Sequence, residues 1–165
     1  MKIGVIGDSH DNLKNIGAAL SILNTNKVDA ILHTGDIISP FSAKLFTKID
    51  VPTYFTFGNN DGEKLFLKEI LSSSKNCKLV WPKALIELKG YKIILLHGED
   101  EYLVESLAES NKYDLVAYGH WHKIVNKKVN NTMLINPGEL CGYLTGKASL
   151  AIIELEKKEA EIIEI

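Results

Sequence analysis

The sequence predicts an α/β fold in which two β-sheets pack face to face with helices on the outside. Strand-like and helix-like segments alternate through the first half of the chain, which is typical of a parallel sheet covered by helices. The second half contains mostly short apolar, β-branched runs, which indicate further strands. A chain of 165 residues that is 45% hydrophobic can bury the core of one domain, so we expect residues 1–165 to form a single domain without a cap domain.

Two helices separate the first three strands. The expected order is strand 2–6, helix 13–23, strand 30–33, helix 41–49 and strand 53–57. In the first helix the apolar side chains recur at helical spacing, and Asp11 or Asn12 supplies the N-cap. We interpret this helix as a packing element without a chemical role.

A third helix, a hairpin and a series of strands follow. The third helix is expected at residues 62–71, and a Gly90-Tyr91 turn joins strands 85–88 and 93–96. After a fourth helix, the remaining segments are strands. That helix is expected at residues 102–108 and the strands at 115–118, 124–129, 133–135, 150–155 and 160–165.

The chain is nearly neutral and contains no arginine. Its formal charge of -2 leaves no basic footprint, so nucleic acid is not indicated as a partner. All 19 cationic side chains are lysines, so the planar guanidinium that commonly grips phosphate is missing. A bound phosphate would have to be held by metal ions, backbone amides, asparagine and lysine.

Cysteine usage and hydropathy indicate the cellular compartment in which the protein is expected. Cys77 and Cys141 fit no metal-binding or redox spacing, and we expect both to be small buried side chains. The first residues show no leader pattern, and no apolar stretch approaches the ~20 residues of a membrane span. These features predict a soluble, cytoplasmic protein that does not bind a membrane.

Five short motifs place aspartate, asparagine and histidine side chains after apolar runs, where strands are expected to end. They are Gly7-Asp8-Ser9-His10, Thr34-Gly35-Asp36, Gly58-Asn59-Asn60-Asp61, Leu96-His97-Gly98 and Gly119-His120-Trp121-His122. Taken singly, the first four have ordinary explanations: a helix cap at Asp8, turns at Asp36 and Asn59, and a satisfied histidine at position 97.

The last motif is harder to explain as structure alone. His120 and His122 occupy alternate positions, and we expect both imidazoles to face the same way, as ligands of a borderline divalent metal. His33 lies outside all five motifs, so we interpret it as a structural histidine.

Together, the motifs predict a site for two divalent metal ions that hydrolyses a phosphoester. Two such ions can make hydroxide from bound water and polarise the phosphoryl group. Asp8 and His10 can bind one ion together because alternate side chains of an extended backbone share a face. Asn59 adds a neutral oxygen ligand that leaves the metal enough charge to activate water.

The ordered set of motifs resembles the calcineurin-like metallophosphoesterase superfamily, in which Asp-x-His, Gly-Asp, Gly-Asn, a single His and Gly-His-x-His supply the ligands. The match runs from Asp8 to His122, with a further match at Asn136-Pro137-Gly138. In its small size the chain is similar to the prokaryotic phosphodiesterase branch and to the retromer scaffold subunit. The resemblance implies a four-layer α/β/β/α sandwich of two mixed sheets flanked by helices, with the metals at the strand ends.

The resemblance also implies a role for each ligand. One ion would be held by Asp8, His10 and His122, the other by Asn59, His97 and His120, with Asp36 bridging both. A hydroxide that bridges the two ions would attack phosphorus in line.

The function implied is therefore a metal-dependent phosphodiesterase acting on a small phosphodiester. Its catalytic residues would be Asp36, Asn59, Asn60 and His97. Mn²⁺ is the metal we expect from the resemblance, and the mixed ligands also suit Ni²⁺, Co²⁺, Fe²⁺ or Zn²⁺.

One position departs from the family pattern. Many relatives carry a histidine after Gly-Asn that protonates the leaving group, and here the residue is Asn60. An asparagine can donate a hydrogen bond but no proton, so general-acid assistance of about 10²- to 10⁴-fold is expected to be missing. We therefore expect a preference for diesters, or for esters with an acidic leaving group, over alkyl monoesters.

Other functions remain open at this level. An inert scaffold would not require all seven ligand positions to be present. A phosphomonoesterase would be expected to clamp the terminal phosphate with an arginine, and this chain has none. For a nuclease, neither a basic groove nor a base-stacking platform is evident. The aromatic residues expected in the core or in hairpins are Phe41, Phe57, Tyr91 and Tyr143. The sequence is compatible with a homo-oligomer.

Overall fold

The computed structural model describes residues 1–165 as eleven strands and four helices. The strands are β1 (Lys2–Ile6), β2 (Ala30–His33), β3 (Thr53–Phe55), β4 (Cys77–Leu79), β5 (Lys83–Leu88), β6 (Tyr91–Leu96), β7 (Leu115–Ala117), β8 (Ile124–Val129), β9 (Thr132–Pro137), β10 (Ser149–Glu154) and β11 (Glu159–Glu164). The helices are α1 (Leu13–Thr25), α2 (Pro40–Phe46), α3 (Lys64–Ser72) and α4 (Glu101–Glu109).

The strands form two mixed sheets. The first sheet has the order β11-β10-β1-β2-β3-β4, in which β1 to β4 are parallel and β10 and β11 join as an antiparallel hairpin. The second sheet has the order β5-β6-β7-β9-β8, in which β6, β7 and β9 are parallel. The predicted alternation of strands and helices in the first half is thus confirmed as a parallel arrangement.

Three separate hydrophobic clusters establish four layers. The first cluster joins α1, α2 and α3 to the first sheet, the second lies between the two sheets, and the third joins the second sheet to α4. Strand β6 shows the division: Ile93 and Leu95 belong to the cluster between the sheets, and Ile94 and Leu96 to the cluster under α4. Alternate side chains of a strand point to opposite faces, so both faces of β6 must be apolar. The predicted two-sheet sandwich with outer helices is confirmed.

Helix boundaries follow local capping more closely than hydrophobic spacing. Helix α1 starts after Asn12, whose side chain accepts a hydrogen bond from the Asn15 backbone N–H. Asn12 is one of the two residues predicted as the N-cap. Helix α2 is shorter than predicted: it begins at Pro40, capped by Ser39, and ends at Phe46 instead of residue 49. None of the four helices combines the length and the hydropathy needed to cross a membrane.

One strand was missed and one turn was misplaced. The edge strand β4 pairs with β3 over only three residues, too few to show an alternating pattern in the sequence. The hairpin turn is Lys89-Gly90, both with positive φ, and Tyr91 already belongs to β6.

The prediction for the aromatic side chains is half wrong. Phe57 is buried and Tyr91 lies in the β5-β6 hairpin, as expected. Phe41 and Tyr143, however, are 71% and 63% exposed. Both lie in segments next to the predicted site, so their exposure concerns the surroundings of that site and not the core.

Candidate metal centre

The five sequence motifs meet at the carboxyl ends of five parallel strands. Each motif follows one of the strands β1, β2, β3, β6 and β7, and strands that run in parallel present their carboxyl ends at the same edge of a sheet. The side chains brought together there are Asp8, His10, Asp36, Asn59, His97, His120 and His122.

Asp8, His10 and His122 form one cluster. The Nε2 atom of His122 lies 3.7 Å from the Oδ1 atom of Asp8, and the rings of His10 and His122 have centroids 5.3 Å apart. The backbone N–H of His120 donates to Asp8 Oδ2 at 3.0 Å, which fixes the carboxylate against the loop after β7. These contacts place one carboxylate and two imidazoles around a common point.

Asn59, His97 and His120 form the second cluster. The Oδ1 atom of Asn59 lies 3.0 Å from His97 Nε2 and 2.9 Å from His120 Nδ1. Asp36 stands between the clusters, because its Oδ2 atom is 3.4 Å from His10 Nε2 and 3.6 Å from His97 Nε2. A single buried carboxylate therefore faces both groups.

The ring nitrogens of His97 and His122 face hydrogen-bond acceptors on both sides. The Nδ1 atom of His97 lies 2.8 Å from the Thr34 carbonyl oxygen, and the Nδ1 atom of His122 lies 2.7 Å from a carboxylate oxygen of Glu139. Both partners act as acceptors, so Nδ1 is the donor in each contact, and the tautomer with its proton on Nδ1 leaves Nε2 free to bind a metal. The Nε2 atoms face carboxyl oxygens, Asp36 Oδ2 for His97 and Asp8 Oδ1 for His122.

Acceptors that face each other repel unless a cation lies between them. His10 adds to the conflict, because its Nε2 atom is buried without a hydrogen-bond partner while it faces Asp36. Imidazole nitrogen, carboxylate oxygen and amide oxygen are together the donors that borderline divalent metals accept. The residues present therefore fit a divalent cation in each cluster.

The electrostatics of the site agree with this fit. Burial, together with the charge of Asp36, raises the pKa of Asp8 to about 8. Burial lowers the pKa of His10 and of His120, so both rings favour the neutral form that can bind a metal. Without a cation, the centre disfavours charge of either sign on these residues.

The backbone of the site is not extended. The sequence predicts instead that Asp8 and His10 share a face of extended backbone, and that His120 and His122 face the same way. Asp8 and His10 have φ of 48° and 38°, and His120 and His122 have φ of 69° and 55°. In this left-handed region the two imidazoles after β7 diverge: His120 turns to Asn59 and His122 turns to Asp8 and Glu139. Left-handed φ in several residues other than glycine is strained and concentrates at functional sites.

Comparison with known proteins decides the family. The family model described as the calcineurin-like phosphoesterase superfamily domain matches residues 1–158. The chain belongs to this superfamily. A curated relative, phosphodiesterase MJ0936 of Methanocaldococcus jannaschii, is 40% identical over 159 residues, which cover 96% of each chain.

Solved structures show the same calcineurin-like fold. The structure described as a novel archaeal phosphodiesterase is 38% identical, covers 100% of both chains and superimposes with a TM-score of 0.89. Vps29 from Entamoeba histolytica, solved with zinc, is 19% identical over 100% of this chain and 98% of its own, with a TM-score of 0.69. At that identity the likeness concerns the fold alone. The predicted resemblance to this superfamily, to its small prokaryotic phosphodiesterase branch and to the retromer subunit is confirmed.

Glu139 of this phosphoesterase is a site residue for which the sequence predicted no contact with the ligands. It is buried, and its carboxylate accepts hydrogen bonds from Thr145, Leu144 and the Cys141 thiol, and contacts His122 Nδ1. Burial alone would raise the pKa of Glu139, but the hydrogen bonds from Thr145, Cys141 and His122 lower it to about 2. The ionised carboxylate therefore fixes the tautomer of His122. No spacing in the sequence joins positions 122 and 139, so only the fold reveals the pair.

Asp61 is the second missed residue, although it belongs to one of the five motifs. Its Oδ2 atom accepts from the backbone N–H groups of Asp36 and Gly58, and its Oδ1 atom accepts from that of Ile38. This carboxylate ties the loop after β2 to the loop after β3. Gly58 itself must lack a side chain, because a Cβ atom there would meet Asp36 Oδ1 and lie 2.6 Å from His97.

His33 and Cys141 lie close to the metal centre, whereas Cys77 lies in the core beside Phe46. His33 is fully buried beside Ser9, and its Nδ1 atom accepts from the Gly35 backbone N–H, as expected of a structural histidine. Burial lowers its pKa to about 3. Both cysteines are buried and free, and Cys141 has an Sγ atom within 4.8 Å of the ligand atoms of His10 and His122. The prediction of small buried cysteine side chains holds, but Cys141 also contacts the site through Glu139.

Proposed function

We propose that this phosphoesterase is a metal-dependent phosphodiesterase that uses two divalent metal ions and acts on a small phosphodiester. The observation that carries the proposal is the convergence of imidazole nitrogens on buried carboxylates on both sides of Asp36. The 40% identical archaeal phosphodiesterase supports the choice of diesters. The 1–158 match further supports our proposal that residues 1–165 act as one domain.

The two clusters suggest how the ligands are divided. We assign one ion to Asp8, His10 and His122 and the other to Asn59, His97 and His120, with Asp36 shared. When bound, two divalent ions supply hydroxide from water near neutral pH and neutralise charge on the phosphoryl oxygens.

The protein itself orients the shared carboxylate. The side-chain amide of Asn60 donates to Asp36 Oδ2 at 2.7 Å, and the backbone N–H of Asn60 donates to Asp36 Oδ1 at 2.9 Å. Asp61 holds the backbone of the same loop in place. The Asp36 carboxylate is thereby kept between the clusters, in the position that a shared ligand needs.

Two features favour diesters over monoesters. Asn60 is exposed and its amide can donate to an ester oxygen, but it cannot deliver a proton to a poor leaving group. The chain also has no arginine to pair with the second negative charge of a monoester. A diester carries one charge less and does not need that partner.

The ligand set suits several metals. Four imidazoles, two carboxylates and one amide oxygen combine borderline and hard donors, which fits Mn²⁺, Fe²⁺, Co²⁺, Ni²⁺ or Zn²⁺. We propose Mn²⁺ on the strength of the family resemblance.

The proposal is tested by comparing two model substrates. Metal-stripped protein is titrated with each of the five metals and assayed on bis(p-nitrophenyl) phosphate and p-nitrophenyl phosphate, which share a leaving group. We expect turnover of the diester that depends on added metal and exceeds turnover of the monoester. Faster monoester turnover would identify a phosphomonoesterase, and turnover of neither with any metal would favour an inert scaffold.

Replacing Glu139 with glutamine is expected to weaken metal binding. A neutral amide stabilises the Nδ1–H tautomer of His122 less well, and loss of such an outer carboxylate typically costs about 10- to 100-fold in metal affinity. We expect one of two Mn²⁺ ions to bind that much more weakly in a titration of the metal-stripped protein, with the other ion nearly unaffected.

Thr145→Ala is the matched control for this variant. It removes a hydrogen bond to Glu139 Oε1 but leaves the contact between Glu139 and His122. If both variants bound Mn²⁺ equally well, the carboxylate would only anchor residues 139–145 and would not position His122.

A further inference from the structure

A cleft beside the metal centre carries two exposed phenylalanines. It lies where α2 and α3 begin, has a volume of about 570 Å³, and its lining includes Phe41, Lys44, Asn60, Glu63 and Phe66. Asn60 belongs both to this lining and to the centre, because its amide donates to Asp36 Oδ2. The cleft is therefore continuous with the place where hydrolysis is proposed.

The two phenylalanines lie outside the hydrophobic core. Phe41 is 71% exposed and Phe66 is 46% exposed, whereas Phe46 in α2 and Leu67 in α3 fill the core beneath the same helices with no exposed surface. Exposed apolar side chains that gather at one cleft commonly mark a binding site. Aromatic faces in particular bind planar rings by stacking.

We propose that this cleft binds one of the two organic groups of the phosphodiester, and that this group is a planar aromatic ring of nucleobase size. The inference rests on the proposed phosphodiesterase function and names the substrate class for it. The volume lies within the range of small-molecule sites. The lining carries one positive side chain, Lys44, and one negative side chain, Glu63, and so has no row of cations. This charge suits one small diester and not a nucleic acid, which is held through many phosphates.

Two substrates with the same leaving group test the cleft. They are the p-nitrophenyl ester of thymidine 5′-monophosphate and methyl p-nitrophenyl phosphate, assayed with the Mn²⁺-loaded protein. The measured quantity is the ratio of their kcat/KM values. We expect the ratio to favour the thymidine ester, mainly through a lower KM, and to fall about 10-fold in Phe66→Ala, in line with the loss of one stacking contact.

Leu65→Ala is the matched control. Leu65 precedes Phe66 in α3 and is 87% exposed, but it does not line the cleft, so this variant is expected to keep the ratio of the parent protein. Phe41→Ala is a second test variant, in which we expect a similar fall. Its side chain is exposed at the start of α2, so its removal leaves the core intact.

Each failure has a distinct meaning. If the parent hydrolyses both esters but shows no preference, or if the ratio in both phenylalanine variants equals that in Leu65→Ala, the cleft does not bind the substrate and the phosphodiesterase proposal stands. If the parent hydrolyses neither ester with any of the five metals, the proposed function is wrong and the inference that rests on it is overturned as well.

Discussion

Asp36→Asn is expected to reduce metal-dependent hydrolysis of bis(p-nitrophenyl) phosphate by at least about 10²- to 10³-fold, the cost of losing one major electrostatic contributor. The Asp36 Oδ2 atom faces His10 on one side and His97 on the other, so this carboxylate can serve both clusters. The substitution preserves the size of the side chain and removes its charge. The measurement is the steady-state rate of metal-stripped protein reloaded with Mn²⁺.

A surface variant separates this effect from a general one. Asp29 precedes β2, at the end of that strand opposite to the metal centre, and forms a salt bridge with Lys89, so Asp29→Asn removes one carboxylate charge without touching the centre. We expect it to keep the activity of the parent. Activity of Asp36→Asn within tenfold of that of Asp29→Asn would contradict a shared role for Asp36.

Asn60→His is expected to accelerate hydrolysis of diesters that have poor leaving groups. A histidine at this exposed position can donate a proton to the departing oxygen, which general-acid catalysis typically rewards with about 10²- to 10⁴-fold. The benefit should be small for p-nitrophenolate, which leaves readily without a proton. The quantity to measure is therefore the rate with a phenol leaving group relative to the rate with p-nitrophenol.

The control must account for a contact that the substitution also removes. The Asn60 amide orients Asp36 through a hydrogen bond of 2.7 Å, and Asn60→Ala loses that bond without adding an acid. We expect the relative rate for phenol to rise in Asn60→His and to stay near the parent value in Asn60→Ala. Equal relative rates in the two variants would remove support for the idea that an acid is missing.

Much of the fold could be predicted because its signals are local. Strands such as β1 and β10 are continuous apolar runs, since both faces of the sheets are covered, and helix α1 shows helical spacing together with a cap at Asn12. The edge strand β4 and the end of α2 could not be predicted in this way. The extent of β4 depends on pairing with β3, and that of α2 depends on capping. Neither contact can be inferred from the spacing of hydrophobic residues.

The residues that converge at the centre were accessible from the sequence, but their geometry was not. Each motif follows a strand, which can be seen in the order of residues, whereas the left-handed φ of Asp8 and His10 results from contacts with the neighbouring loop after β2. Glu139 was missed, and Phe41 was wrongly expected in the core or in a hairpin, for the same reason. The meaning of each depends on a partner distant in sequence, His122 for Glu139 and Phe66 for Phe41.

The two-metal site is tested most directly by counting the Mn²⁺ ions that the metal-stripped chain binds at saturation. The count is measured by equilibrium dialysis, and turnover of bis(p-nitrophenyl) phosphate is followed on the same samples. We expect two ions per chain and full turnover only when both are bound. Saturation at a single ion with full turnover, or binding of two ions without turnover of the diester, would contradict a two-metal phosphodiesterase.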